Sequence, residues 1–196
     1  MSKIRTLAGG AAILVLATAA AVASVPMMFQ THRANSVELS AAAAGAGSLD
    51  SAIAAVERST GGRVLEIHFE GGNGAGYYNA TVARDGTVNH ALFTLGTKQI
   101  AMVGDSGTPV RSFDYSEKAG AELIVRTSRV GLGSAVRSAE EASHGVAVAA
   151  RTTRSQDGYM VAHDIETVKG DMVRPVLIDA KTGLVIGDRQ AFAALP

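Results

Sequence analysis

Val176-Leu177-Ile178-Asp179-Ala180-Lys181-Thr182-Gly183-Leu184-Val185-Ile186 sets two apolar runs on either side of a short polar turn. An aspartate side chain accepts hydrogen bonds from backbone N–H groups just ahead of it, and glycine supplies a step of positive φ. The stretch predicts a hairpin that closes a small antiparallel sheet. Upstream of it, Val146 to Thr153, Tyr159 to Val168 and Met172 to Ile178 read as strands, with Gln156-Asp157-Gly158 and Lys169-Gly170-Asp171 as turns. Before these, Leu132, Ala135, Val136 and Ala139 make one apolar stripe at helical spacing, and Gly145 follows.

A looser copy of that order lies nearer the N-terminus. Ser48 to Gly62 reads as a helix with Ser48 at its N-cap, Asp50 in the first turn and Gly61-Gly62 at its end. Leu49, Ala52, Ile53 and Val56 form its stripe. Leu65, Ile67 and Phe69 then alternate with Glu66, His68 and Glu70, the pattern of a strand with one buried and one solvated face. Gly71 to Gly76 reads as a flexible hairpin loop, Tyr77 to Arg84 as a second strand, Asp85-Gly86 as a two-residue turn and Thr87 to Leu95 as a third strand. Gln99 to Val103 adds a short fourth. Leu49-Asp50-Ser51-Ala52-Ile53 is echoed by Leu132-Gly133-Ser134-Ala135-Val136, and Gly62 by Gly145, all at one spacing of 83 residues. A shared order of elements at a fixed spacing predicts an internal duplication.

The N-terminus has a different character. Lys3 and Arg5 precede an uncharged run from Leu7 to Val25, and Ala21-Val22-Ala23 has the small-x-small form of a signal-peptidase site. Residues 1–23 are expected to be a signal peptide cleaved after Ala23, the alternative being an uncleaved membrane anchor. Either places the folded part outside the cytoplasm, as a periplasmic or secreted protein or one held on the membrane's outer side. Residues 24–47 read as a linker, with a short strand around Val37 to Leu39. Residues 48–104 and 130–196 are the two expected units, and 105–129 the connector between them. In that connector Ser116-Glu117-Lys118-Ala119 could open a helix, while Leu123-Ile124-Val125 prefers a strand.

Composition narrows the function. The chain of 196 residues is 47% hydrophobic with zero formal net charge, so it has the means to bury a core. Without Lys3 and Arg5 it carries 16 basic and 18 acidic residues. That balance, with no Trp, argues against a nucleic-acid surface. There is no Cys, so disulfides, thiolate metal sites and cysteine catalysis are excluded.

A helix, a glycine, three strands and a final Asp-Ala-x-Thr-Gly-x-Val hairpin resemble the PepSY domain. The second unit carries the resemblance through Leu132 to Val136, Tyr159-Met160-Val161 and Ile178 to Val185. The first carries it through Leu49 to Ile53, Gly62-Arg63-Val64, Tyr78 and Asp85-Gly86. The first unit departs at its end, where Thr94-Leu95-Gly96-Thr97-Lys98 replaces the Asp-Ala-x-Thr-Gly turn. The resemblance implies an α+β fold of two tandem PepSY-like units, each one helix packed on a three- to four-stranded antiparallel sheet. Its structural motif residues are Gly62, Asp85, Gly86, Gly145, Asp179, Thr182 and Gly183. It also implies an exported, non-catalytic binding or regulatory protein that modulates or inhibits peptidases, with no catalytic residues and no cofactor. The expected partner is a protein or peptide, with no nucleic acid and a membrane only if the leader stays attached.

Other constellations carry less. Gly104-Asp105-Ser106-Gly107 has the form of a serine-protease nucleophile loop, but Thr108 follows and no suitable histidine segment exists, so a turn is expected. Gly131-Leu132-Gly133 lacks the third glycine of a phosphate cradle and reads as the start of a helix. Glu141 and His144 have the Glu-x-x-His spacing of di-iron bundles without a second copy, so His144 is expected at a helix C-terminus. His163 is expected to be a satisfied, partly buried histidine. His32 and His90 suggest no partner. Glu66, His68 and Glu70, with Asp164 and Glu166 on another strand, are residue types that hold zinc or hard cations. They define the alternative expectation, a periplasmic metal-binding or metal-sensing protein. For peptide binding, the expected surface is an edge strand or the Gly71–Gly76 loop.

Overall fold

The computed structural model describes residues 32–44, 48–72, 75–103, 120, 123–155 and 160–186. Its strands are β1 (His32–Arg33), β2 (Arg63–Gly72), β3 (Ala75–Arg84), β4 (Thr87–Thr94), β5 (Ile100–Val103), β6 (Val146–Arg154), β7 (Val161–Lys169) and β8 (Met172–Asp179). The helices are α1 (Ser36–Ala44), α2 (Ser48–Thr60) and α3 (Leu132–Ser143). All eight strands form one antiparallel sheet in the order β1-β8-β7-β6-β2-β3-β4-β5. The fold is mixed α+β, and one continuous sheet stands where two separate units would each have carried their own.

Helical periodicity places the apolar stripes against that sheet. Leu49, Ala52, Ile53 and Val56 of α2 and Leu132, Ala135, Val136 and Ala139 of α3 are buried in one cluster. They meet Val64, Ile67, Tyr78, Val82 and Phe93 on one side and Ile165, Val176 and Ile178 on the other. Each large side chain so removed from water contributes roughly 1.5–3 kcal/mol. Ala80, Ala91, Ala147 and Ala150 are also buried there, and their small size lets the two helices sit close to the strands. Gly133 lies against Ile53, so α3 approaches α2 at its first turn.

Local hydrogen bonds explain why each helix ends where it does. Gly61 and His144 take left-handed φ values of 67° and 52°, the αL conformation that terminates a helix. The next amides, of Gly62 and Gly145, donate to Thr60 Oγ1 at 3.2 Å and Ser143 Oγ at 3.1 Å. Glu57 accepts from the Val64 amide at 3.1 Å, and Glu140 from the Ala147 amide at 2.9 Å. Bulges follow, between Val64 and Glu66 in β2 and between Ala147 and Ala149 in β6. Each member of these pairs lies 83 residues from the other. Beyond β2 and β6 the spacing becomes 85, because the connection after β2 is two residues shorter than the one after β6. At that spacing β4 falls on β8.

Several expectations are corrected. Residues 36–44 are not a linker with a strand at Val37 to Leu39; they form α1. Asn35 Oδ1 accepts from the amides of Val37 and Glu38, both at 2.9 Å, while Glu38 Oε2 accepts from the Asn35 amide at 2.6 Å. This capping box starts a helix that the alanine run then sustains. Ala41 packs on Val148, Val168 and Val173. Residues 123–127 are helical, so Leu123-Ile124-Val125 is not a strand. The Gly71–Gly76 loop is shorter than expected, since Gly71 pairs with Gly76 and Gly72 with Ala75. Leu184 to Ile186 is not a strand but a single bridge, Ile178 to Val185. The leader, the Gly104–Thr108 turn, residues 156–159 and residues 187–196 lie outside the described residues.

Gly62 and Gly145 prove to be needed for space rather than for φ. A Cβ on Gly62 would sit 2.5 Å from Val82 Cγ1 and 2.8 Å from the Ala83 carbonyl oxygen. One on Gly145 would sit 2.9 Å from the Val168 carbonyl oxygen. Gly62→Ala and Gly145→Ala are each expected to cost about 1–3 kcal/mol in urea unfolding. Gly96→Ala, which meets nothing within 4 Å, is expected to change stability by less than about 1 kcal/mol.

Candidate functional site

Strand alternation sends Glu66, His68 and Glu70 to the sheet face away from α2 and α3. There they join Arg151 of β6 and Asp164 and Glu166 of β7 around a shallow cleft of about 180 Å³ floored by Ala149. The structure brings His68 and Glu70 together, His68 Nε2 lying 2.9 Å from Glu70 Oε1. Tyr77 donates to Glu70 Oε2 at 2.7 Å, and Asn79 Nδ2 to Oε1 at 3.0 Å. These hydrogen bonds, Tyr77's first, hold the Glu70 carboxyl below the usual range. Reciprocally, Glu70 pushes the Tyr77 phenol up. Glu66 lies toward the other end of the cleft, opposite Arg151 in register. Arg151 Nε and Nη2 both donate to Asp164 Oδ2, at 3.1 and 3.0 Å, and the Asp164 side chain is buried. Among the described residues, no three His, Asp or Glu side chains are grouped so as to hold a metal ion.

The motif residues occupy the turns. Asp85 and Gly86 have φ of 49° and 71°, the two positive values of a type I′ turn. Asp179 Oδ1 accepts from the amides of Lys181 at 2.8 Å and Thr182 at 2.7 Å, and Gly183 takes φ of 78°. Partial burial alone would raise the Asp179 carboxyl, but the Thr182 and Lys181 amides outweigh it and hold it below its ordinary value. The end of the first unit, read as a departure from this turn, has the same frame. The Thr94 amide donates to the Gln99 carbonyl as that of Asp179 does to Leu184. Gln99 and Leu184 amides both lie 3.4 Å from a threonine hydroxyl, of Thr97 and Thr182. Lys98, with φ of 54°, stands where the second turn has Gly183.

That turn delivers β5, a surface whose composition sequence reasoning passed over. Because Thr94 and Gln99 form a hydrogen-bonded pair, so do Leu92 with Ala101 and His90 with Val103. The N–H and C=O groups of Ile100 and Met102 therefore point to the outer rim of the sheet. Among the described residues, no strand pairs with that rim. Ile100 and Met102 share the sheet face that carries α2, yet Met102 is 49% exposed, since the helix layer stops short of β5. Between α2 and β5 runs an open groove of about 590 Å³. Its apolar part is Ala54, Ala55, Phe93 and Ile100, and its cations are Arg58 and Lys98. The legible signal was four uncharged residues, Ile100-Ala101-Met102-Val103, in a strand at the sheet's margin.

The remaining histidines are structural. His163 is buried, with Nε2 donating to the Val130 carbonyl at 2.8 Å and Nδ1 accepting from the Thr152 hydroxyl at 3.0 Å. Arg63 Nη2 also donates to Val130, at 2.8 Å, and Nη1 donates to Ser128, at 2.9 Å. The two side chains clamp residues 123–130 to the sheet. His144 is the αL residue at the end of α3, and Gly131 is the N-cap at its start. His32 lies 3.3 Å from Glu38 on α1. His90 faces Thr81 across the β3–β4 ladder.

No family model matches the chain, and no curated protein matches it. A solved structure described as a "putative lipoprotein" from Clostridium difficile 630 is similar over 69% of this chain and 87% of that one, at 15% identity and a TM-score of 0.41. Among the described residues, no helix is long and apolar enough to cross a membrane.

Burial lowers the His163 pKa, and the nearby Arg63 lowers it further against the Val130 hydrogen bond and Asp179. The unfolded chain therefore binds the proton more tightly than the folded one. Stability on this account is complete above about pH 6.5, falls as pH drops below it, and levels off below the depressed folded value. Urea unfolding between pH 7 and 5 is expected to show this slope in the native protein. His163→Gln should be less stable at pH 7 but flat across the window.

Proposed function

We propose that the protein is an exported, non-catalytic binding module, made of two copies of one PepSY-like helix-plus-meander unit, that takes a polypeptide segment onto the free rim of β5. The β5 rim carries this reading. Outward N–H and C=O groups on Ile100 and Met102 are the template for strand addition, in which main-chain bonds supply affinity and alternate side chains supply specificity. The duplication is supported by the matched helix ends, the matched bulges and the shared turn frame. It is supported further by the seam, where Ile67 pairs with Ala150, its own counterpart 83 residues on. The export reading is supported by Lys3, Arg5, the uncharged run and Ala21-Val22-Ala23. The peptidase reading is supported by the motif resemblance, which names exported metallopeptidases as the partner class.

Inhibition of a thermolysin-type metallopeptidase, or a complex with it, is the expected result. Met102→Pro removes one outward N–H and leaves the β4 ladder intact, because Ala101 and Val103 make those bonds. It should weaken inhibition at least roughly ten-fold, equivalent to about 1.4 kcal/mol, while the melting temperature stays near that of the native protein. Neither inhibition nor a complex would remove the peptidase reading. For the leader, mass spectrometry of protein recovered from the cell envelope should give a chain beginning at Ser24. An intact Met1 would replace cleavage with anchorage.

A further inference from the structure

Resting on the β5 reading above, we infer that the α2–β5 groove selects segments carrying a carboxylate. A strand added to β5 places every second side chain on the face that α2 covers. Those side chains enter the groove lined by Ala54, Ala55, Phe93 and Ile100, between Arg58 and Lys98. No carboxylate lines that groove, and no described Asp or Glu forms an ion pair with either cation. Asp50 and Glu57, the acids of α2, are committed elsewhere, to Arg137 at 3.1 Å and to the Val64 amide at 3.1 Å. An acidic, extended, otherwise apolar segment is complementary to this lining; a basic one is repelled.

Lys98 is the second observation. Its φ of 54° is unfavourable for any residue but glycine, and the matching turn in the second half has Gly183 at φ of 78°. A lysine at a glycine position lowers stability and puts a cation at the mouth of the groove. That trade is the pattern of a residue kept for binding rather than for folding.

Two fluorescein-labelled heptapeptides test the inference by anisotropy with the intact protein at low salt. One is Thr-Val-Thr-Glu-Thr-Val-Thr, and the other has Lys in place of Glu. The glutamate peptide is expected to bind roughly ten-fold tighter, since exposed ion pairs are individually weak but here change sign between the two ligands. Lys98→Gly should raise the melting temperature and shrink the preference, and Arg58→Glu with Lys98→Glu should reverse it. Equal affinity of both peptides, or a preference untouched by these variants, overturns carboxylate selection and leaves strand addition standing. Binding of neither peptide, or binding unchanged in Met102→Pro, overturns strand addition itself. A dimer by sedimentation that Met102→Pro dissolves would assign the rim to a second copy and overturn the inference.

Discussion

The pairing of β2 with β6 is the constraint on which the rest of the molecule depends. Only three residue pairs make it, Glu66 with Arg151, Ile67 with Ala150 and His68 with Ala149. It joins two meanders back to back and makes one sheet of eight strands. It also brings α2 and α3 side by side over the middle, so that one core serves both. Neither meander closes well alone, because a single helix on three or four strands leaves one flank of the helix in water. The centre of the pairing is a bulky Ile67 against a small Ala150, which leaves room for the two helices to meet above it.

A bulge just before that pairing, in each strand, turns the chain from the helix end into register. The same local devices act on both sides: an αL residue, a hydroxyl caught by the next amide, and a glutamate accepting from the strand's first ladder amide. On the second side, residues 123–130 need a further hold, since they return from the far edge of the sheet. Arg63 and His163 provide it through carbonyl oxygens, with the Arg129 and Val130 amides donating to Ala180. A neutral imidazole suits that place, as its one proton goes to Val130 and its lone pair takes the Thr152 hydroxyl.

The two rims of the sheet are treated differently. At one, β8 is covered by β1, by the bridge from Val185 and by the Ile186 amide on Leu177. At the other, β5 offers an uncharged backbone edge beside a groove with two cations. Protein sheets commonly guard an edge with lysine, proline or a bulge, and β5 has none of these within it. The unguarded rim is therefore the natural place for a binding partner. By contrast, the charged cleft on the open face is internally paired, His68 and Tyr77 with Glu70 and Arg151 with Asp164, and reads as a solvated surface built for stability.

Hydrophobic period, caps and turn residues determined most of the local structure. The stripes of α2 and α3, the alternation in β2, Asp85-Gly86 and Asp179 to Gly183 were legible because they depend on neighbours within a few residues. The capping box at Asn35 and Glu38 was equally local, but the alanine run after it has no apolar period and hid a helix. What only the tertiary structure decided was the joining of the halves, since strand pairing across 83 residues leaves no local mark on either strand. It also decided the meaning of Lys98. In sequence Lys98 interrupts a glycine turn, and only the fold carries that turn to the rim where its charge faces a groove.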